Sequence, residues 1–235
     1  MNTVKKTAML SVAVIAAATL FAQARQSATA NRKKEDPRKI ASIDVFPRIG
    51  RQAALQAPGG ITANSNIGRV GSRPRRWIVL ETKYSTYHRW QDQLTFTWHV
   101  LLDSKTATDR DKDDKIPPYS YFTASVTYQN IPRGQHAASV CLHPSNLERF
   151  GEPRAVGLVI TKNGETVAFD CESQVQGIHS HPKDLSKAFW NDNGIMGKTT
   201  KSGEPLIERR MGLVDRSKTI WANVNPDDYE QTANN

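Results

Sequence analysis

The chain has 235 residues, of which 38% are hydrophobic, and its formal net charge at pH 7 is +9. This composition suits one soluble domain together with a polar segment. Residues 25–76 carry 12 Lys/Arg and 3 Asp/Glu, whereas residues 77–235 carry 18 Lys/Arg and 20 Asp/Glu. This distribution excludes the body of the chain as the source of the basicity, which belongs to an N-terminal arm.

The first 24 residues predict a cleavable secretory signal peptide. Lys5 and Lys6 precede an apolar run over residues 8–21, and small residues follow at Ala22 and Ala24. A run of about 14 apolar residues is shorter than the about 20 that a membrane-spanning helix needs. We therefore expect a mature protein that starts at residue 25, has no transmembrane segment, and is periplasmic, on the cell surface or secreted.

Residues 25–76 predict a basic arm and linker. Phe46 is the one aromatic residue in this stretch, and a charged segment with few large apolar groups cannot offset the entropy cost of ordering. Residues 25–39 are therefore expected to be a disordered basic tail, and residues 47–76 a linker. The cationic cluster of the tail suits either simple solvation or charge-driven binding of polyanions such as acidic glycans. The residues concerned are Arg32, Lys33, Lys34, Arg38 and Lys39. Since no nucleic-acid motif is visible, specific nucleic-acid binding is not expected.

A short β-prone segment interrupts the arm at residues 40–46. Ile43 and Val45 alternate with polar or small residues, which is typical of a strand. Two partners are open to it: a sheet edge of its own domain, or a sheet edge of another subunit, by strand addition.

Residues 77–229 predict an all-β domain, either a sandwich or a small barrel, with residues 230–235 as a tail. Apolar and polar residues alternate over 77–87, 94–102 and 119–131. The clearest alternation puts five large side chains on one strand face: Leu94, Phe96, Trp98, Val100 and Leu102.

Residues 155–172 predict a β-hairpin, because Asn163-Gly164 lies between two apolar runs and suits a type I′ turn. A two-residue loop would pair Lys162 with Glu165. It would also pair Ile160 with Val167, and Leu158 with Phe169.

Cys141 and Cys171 are the two cysteines of the chain. In an oxidising compartment such a pair usually forms a disulfide, worth about 3–4 kcal/mol for a loop of about 30 residues. The alternation pattern places the Cys171 side chain on the inward face of its strand and the Cys141 side chain on the opposite face of its own, which does not favour the bond. Two separate buried thiols are the alternative.

No catalytic motif is present, so we expect no enzyme activity and no cofactor. The pair His179 and His181 lacks the further ligands that zinc needs. Residues 109–120 lack the glycine and the final acidic residue of a calcium loop. Phe189 and Trp190 lie in a polar loop, where aromatic rings either stack on a ligand or fold back into the core.

The body also resembles a known family, through segments of packing and turn residues. These are residues 94–102, Val126-Thr-Tyr128, residues 131–136, residues 142–150, residues 213–222 and Asp228-Tyr229-Glu230. They resemble the secreted, immunoglobulin-like "pilus-like" proteins associated with type IV pili in mucus-dwelling verrucomicrobial bacteria.

The resemblance implies an immunoglobulin-like β-sandwich over residues 77–229. It also implies a structural or adhesive role at the cell surface, with other pilus or envelope proteins as partners. It implies no catalytic residue. The sequence therefore predicts a non-enzymatic exported protein associated with the surface or with type IV pili. The alternative is a binding module for glycans or acidic polymers, since a sandwich fold alone does not select a function.

Overall fold

A computed structural model of the chain describes residues 39–51, 53–56, 76–103, 118–199, 203–219 and 230–231. The chain divides into two compact units, Met1–Lys39 and Ile40–Asn235. Of the first unit only Lys39 is described, so the predicted signal peptide and most of the basic arm lie outside the described residues. The second unit begins at Ile40, well before the domain boundary expected at residue 77.

Nine strands are described, and all belong to one hydrogen-bonded sheet. Its main path runs β6-β5-β3-β4-β7, with β1 and β2 also pairing with β3, and β8 and β9 pairing with β4. The strands are β1 (Ala41–Val45), β2 (Ala53–Gln56), β3 (Arg76–Asp103), β4 (Tyr119–Leu142), β5 (Glu152–Lys162), β6 (Glu165–Ser173), β7 (Ile207–Arg210), β8 (Leu213–Asp215) and β9 (Glu230–Gln231). Two short helices accompany them, α1 (Pro144–Phe150) and α2 (Asn193–Met196).

The sheet is built on one long ribbon of two antiparallel strands. Strand β3 has 28 residues and β4 has 24, and they pair from Ile78↔Leu142 to Asp103↔Tyr119. The alternating segments predicted at 77–87 and 94–102 are the two halves of β3. A bulge between Thr86 and Trp90 separates these halves, and bulges of this kind bend a strand.

The two halves of the ribbon pack against each other, which makes the single sheet into a sandwich. The ring of Tyr84, from the first half of β3, lies 4.7 Å from that of Phe96 in the second half. Phe96 in turn meets Tyr128 of β4 at 5.2 Å. The prediction of an all-β sandwich is confirmed.

The core follows the alternation that the sequence predicted. The alternating residues of 94–102 are fully buried: Leu94, Phe96, Trp98, Val100 and Leu102. Burial of such side chains contributes roughly 1.5–3 kcal/mol each. The intervening Thr95 and Thr97 are half-buried on the other face, where each hydroxyl hydrogen-bonds to β4, to Thr127 and Ser125 respectively.

The predicted hairpin is present, with one difference in register. Asn163 and Gly164 both have positive φ, 52° and 83°, and Lys162 pairs with Glu165. A bulge between Ile160 and Thr161 shifts the pairing, so that Ile160 faces Ala168 and Leu158 faces Asp170. The expected pairs of these two residues with Val167 and Phe169 were therefore wrong.

The segment before residue 77 contributes two strands to the sheet. Strand β1 pairs antiparallel with residues 83–86 of β3, and β2 pairs with residues 76–79. Within the predicted C-terminal tail, Glu230 and Gln231 pair with β4. No helix in the described ranges is long and apolar enough to cross a membrane.

Candidate binding surfaces

The described residues form three candidate binding surfaces: the edge formed by β1, an exposed bend, and a covered aromatic cluster. The cationic residues Arg32, Lys33, Lys34 and Arg38 of the predicted polyanion arm lie outside the described residues. Lys39 is described and its side chain is exposed. The arm therefore stays a prediction.

The edge strand β1 is held by backbone pairing and by a few apolar side chains. Ala41 is buried, whereas Val45 is 54% exposed. The Thr82 hydroxyl donates to the carbonyl oxygen of Val45 at 2.8 Å. Of the two partners open to this segment, its own domain is the one seen here.

The residues after β1 continue onto β6. The backbone N–H of Ile49 donates to the Glu172 carboxylate at 3.1 Å, and the Gln174 side-chain amide donates to the carbonyl oxygen of Ile49 at 3.4 Å. Ile49 itself is buried in the core. The segment 40–51 thus covers a side of the sandwich, and its removal would uncover apolar residues.

The bulge in β3 forms an exposed bend that carries an indole. Three residues, 87–89, stand opposite Arg133 alone, and Trp90 faces Pro132. The Trp90 side chain is 56% exposed, and His88, Arg89 and Arg133 are also exposed. Trp and Arg are enriched among the residues that carry binding energy at protein interfaces.

The third surface is a cluster on the outer face of the second half of the sheet. Residues 174–199, here called the cover, lie over this face. The ring of Trp190 stacks on that of His99 at 4.5 Å with an interplanar angle of 2°. Phe189 is fully buried and meets Trp190 edge-on at 5.0 Å. Both aromatic residues of the predicted polar loop therefore fold back into the protein.

Gly157 makes this stacking possible. A Cβ atom at residue 157 would lie 2.0 Å from the Trp190 ring, which is far inside van der Waals contact. The glycine therefore leaves the space that the indole fills.

His99 is the one buried histidine in the cluster. Its Nδ1 lies 2.6 Å from the Tyr121 hydroxyl oxygen, a hydrogen bond within the covered face. Burial lowers the pKa of His99 from 6.5 to about 3, and burial also raises the pKa of Tyr121. The pair is therefore neutral at physiological pH, and it serves packing and hydrogen bonding in this state.

The predicted disulfide between Cys141 and Cys171 is not formed in this structure. Both thiols are free and buried. Cys141 faces Val79 in the first half of the ribbon, whereas Cys171 faces Gly157 in the row of His99, in the second half. The alternative of two separate buried thiols describes them correctly.

Neither thiol is activated for chemistry. Burial raises the pKa of Cys141 to about 11 and that of Cys171 to about 12. The Cys171 thiol donates to the carbonyl oxygen of His179 at 3.3 Å. Since the thiolate is the nucleophile, these cysteines are inert at neutral pH.

Of the histidines at 179 and 181, His181 lies beside a carboxylate. His181 Nδ1 lies 2.9 Å from an oxygen of the Asp170 carboxylate. Across the described ranges, no group of three or more His, Cys, Asp or Glu side chains could hold a metal ion. The acidic residues of 109–114 lie outside those ranges.

Comparison with solved structures gives a match at the level of the fold. A crystal structure of a protein from Akkermansia muciniphila aligns with a TM-score of 0.55 and 18% identity, over 85% of this chain and 97% of that one. A GH3 beta-glucosidase from Bifidobacterium adolescentis aligns with a TM-score of only 0.22 and 9% identity, over 71% of this chain and 20% of the enzyme. At this TM-score, the alignment with the glucosidase supports no conclusion about fold or function.

A search of curated proteins found no match. The model of a family of pilus-like proteins, in contrast, matches residues 61–235, which is most of the chain. This range holds β3 to β9 and leaves out β1 and β2. The chain therefore belongs to the family of type IV pilus-associated proteins of verrucomicrobial bacteria.

Proposed function

We propose that this protein is a non-enzymatic structural and adhesive subunit of the cell surface or of type IV pili, which self-associates by exchange of its edge segment. Membership in the family implies an extracytoplasmic location and contacts with other pilus or envelope proteins. The signal peptide over residues 1–24 would supply the export. Residues 25–39 would form a basic arm.

The observation that carries the proposal is the way segment 40–56 is attached. It lies along one edge of the sandwich, pairs with the first half of β3, and fills an apolar side of the core with Ala41 and Ile49. Its covalent connection to β3 is residues 57–75. Nineteen residues can span up to about 60 Å when extended.

Exchange between two copies would preserve these contacts. If segment 40–56 of one copy occupied the same edge of a neighbour, each backbone pair and apolar contact would be re-formed. The cost is then mainly that of association, which is why domain swapping is a low-cost route to assembly. Continued from copy to copy, such exchange would build a chain of subunits.

We expect exchange to be trapped by a disulfide between residues 42 and 85. Ser42 and Ser85 face each other in the β1–β3 pairing, at the Cα separation that disulfides accept. When the Ser42→Cys and Ser85→Cys variants are mixed and oxidised, a 42–85 bond can form only between two chains. The expected product is a covalent heterodimer on a non-reducing gel, with the linked peptides identified by mass spectrometry.

The double variant Ser42→Cys/Ser85→Cys serves as the control for geometry, because it can link within one chain. Each single variant alone controls for symmetric links. An internal link in the double variant, together with no 42–85 link in the mixture at high protein concentration, would sink the exchange model. Segment 40–56 would then be only the first part of its own sandwich.

The second candidate function is binding of glycans or acidic polymers, which the charge of the arm favours. Residues 25–39 contain six Lys/Arg and two Asp/Glu. Their deletion is expected to abolish retention on heparin, with an unchanged melting temperature. Retention of the intact protein should fall steeply with salt, since it rests on charge alone. Equal retention of the deleted and intact proteins would contradict this role for the arm.

A further inference from the structure

We propose that a pocket between the cover and the sheet is a binding site for a small apolar molecule that ends in a carboxylate. The inference is independent of the proposed assembly function. The pocket lies on the covered face, and neither His99 nor Trp190 is among its lining residues. It has a volume of about 160 Å³. An apolar cavity of about 150 Å³ is large enough to hold benzene.

The walls come from three parts of the chain. The sheet supplies Leu101 and Tyr119, the cover supplies residues on both sides of its aromatic pair, and the start of β7 closes the third side. The full lining is Leu101, Tyr119, Val175, Gln176, Ile178, Ile195, Lys198, Leu206 and Ile207. Most of these side chains are hydrocarbon, so the interior favours an apolar group.

The backbone around the pocket is already hydrogen-bonded. The N–H of Ile178 donates to Val175, that of Ile195 to Asp192, and that of Leu206 to Lys198, at 2.9–3.1 Å. These groups therefore do not compete for a ligand. The polar side chains in the lining are those of Gln176, Lys198 and Tyr119, and no carboxylate is among the lining residues.

This distribution of charge selects the ligand class. Lys198 is the one ionised side chain of the lining, and it is exposed at the rim. An ammonium group beside a hydrocarbon wall favours a ligand whose apolar part enters the pocket and whose anionic end stays at the surface. Since a cavity of about 150 Å³ holds the six carbon atoms of benzene, a carboxylate with an apolar chain of about five or six carbon atoms fits the volume.

The cover is linked to the sheet by a ring contact and by hydrogen bonds through Leu206. Trp190 is stacked on His99, and Leu206 in turn accepts from the N–H of Tyr119 at 3.1 Å.

The test is a titration of the full exported chain with hexanoate, followed by backbone amide NMR. Hexan-1-ol and hexylamine are titrated in parallel as neutral and cationic analogues. We expect saturable shifts for hexanoate confined to the lining residues, weaker binding of hexan-1-ol, and none of hexylamine.

Two types of variant make the assignment specific. Lys198→Gln should weaken hexanoate binding about three- to tenfold and leave hexan-1-ol unchanged. Lys187→Gln, which changes an exposed lysine of the cover outside the lining, should change neither. Leu206→Phe should abolish binding of both ligands by filling the pocket, and Ile195→Phe offers a second filler if the first does not fold.

Binding of hexylamine as tightly as hexanoate would overturn the proposed carboxylate selectivity. Equal effects of Lys198→Gln and Lys187→Gln on hexanoate affinity would also overturn it. Shifts that do not saturate or that scatter over the surface would overturn the site itself. Unchanged binding in a folded filler variant would do the same.

Discussion

Acidification from pH 7 to pH 5 is expected to lower the free energy of unfolding by about 2 kcal/mol through His99 alone. Burial lowers the pKa of His99 to about 3 in the folded protein, against an ordinary value of 6.5. The folded state therefore resists the proton that the unfolded chain takes up below pH 6.5. Stability from this group is complete above pH 6.5 and is lost as the pH falls toward 3.

The measurement is chemical denaturation at a series of pH values. His99→Gln keeps a hydrogen-bonding group opposite Tyr121 but cannot titrate. Between pH 7 and pH 5, the free energy of unfolding of this variant should therefore fall by about 2 kcal/mol less than that of the wild type. His88→Gln, at an exposed position, is the matched control and should keep the wild-type slope. Equal slopes for wild type and His99→Gln would show that His99 is not held neutral by burial.

Gly157→Ala is expected to destabilise the protein by about 1–3 kcal/mol, the usual cost of overpacking. In a strand interior, alanine would ordinarily be preferred to glycine. Here the added Cβ would lie 2.0 Å from the Trp190 ring. The indole must then move away from His99, and the cover must shift with it.

A double-mutant cycle with Trp190→Ala isolates this effect. Once the indole is removed, Gly157→Ala should cost less than about 0.5 kcal/mol, because the space is open. Denaturation curves of the four proteins give the coupling free energy. A cost of Gly157→Ala that is the same in both backgrounds would mean that Trp190 does not occupy the space above Gly157.

The main sandwich core could be predicted from the sequence because its signals are local. The alternation over 94–102 predicts which side chains face inward, and Asn163-Gly164 predicts where the hairpin turns. Both follow from the period of two along a strand and from the backbone freedom of a turn. The same signals do not report the bulge at Ile160, which shifts the hairpin pairing.

The covered face could not be predicted in the same way, because its contacts join distant parts of the chain. In the alternation, His99 and Leu101 fall on the side that would face water. They are buried because residues 174–199 lie over them, and that segment has no strand or helix period to reveal its position. Gly157 was the available signal, since a glycine inside a strand often marks a close approach.

The rows of the sheet that the two cysteines occupy and the pairing of β2 could not be predicted from the sequence, for related reasons. The spacing of Cys141 and Cys171 gives the length of the loop between them but does not indicate which rows of the sheet the two cysteines occupy. Strand β2, Ala53–Gln56, has no β-branched or aromatic residue, so nothing in its composition distinguishes it from a linker. Its pairing depends on the open edge that β3 provides.

Assembly by exchange of segment 40–56 is tested most directly in cells that co-express the Ser42→Cys and Ser85→Cys variants. After mild oxidation, the cells are fractionated and the disulfide-linked peptides are identified by mass spectrometry. We expect a 42–85 bond between two chains, recovered in the extracytoplasmic fraction that also contains other pilus or envelope proteins. Recovery of unlinked chains alone in that fraction, while the double variant links internally, would contradict it.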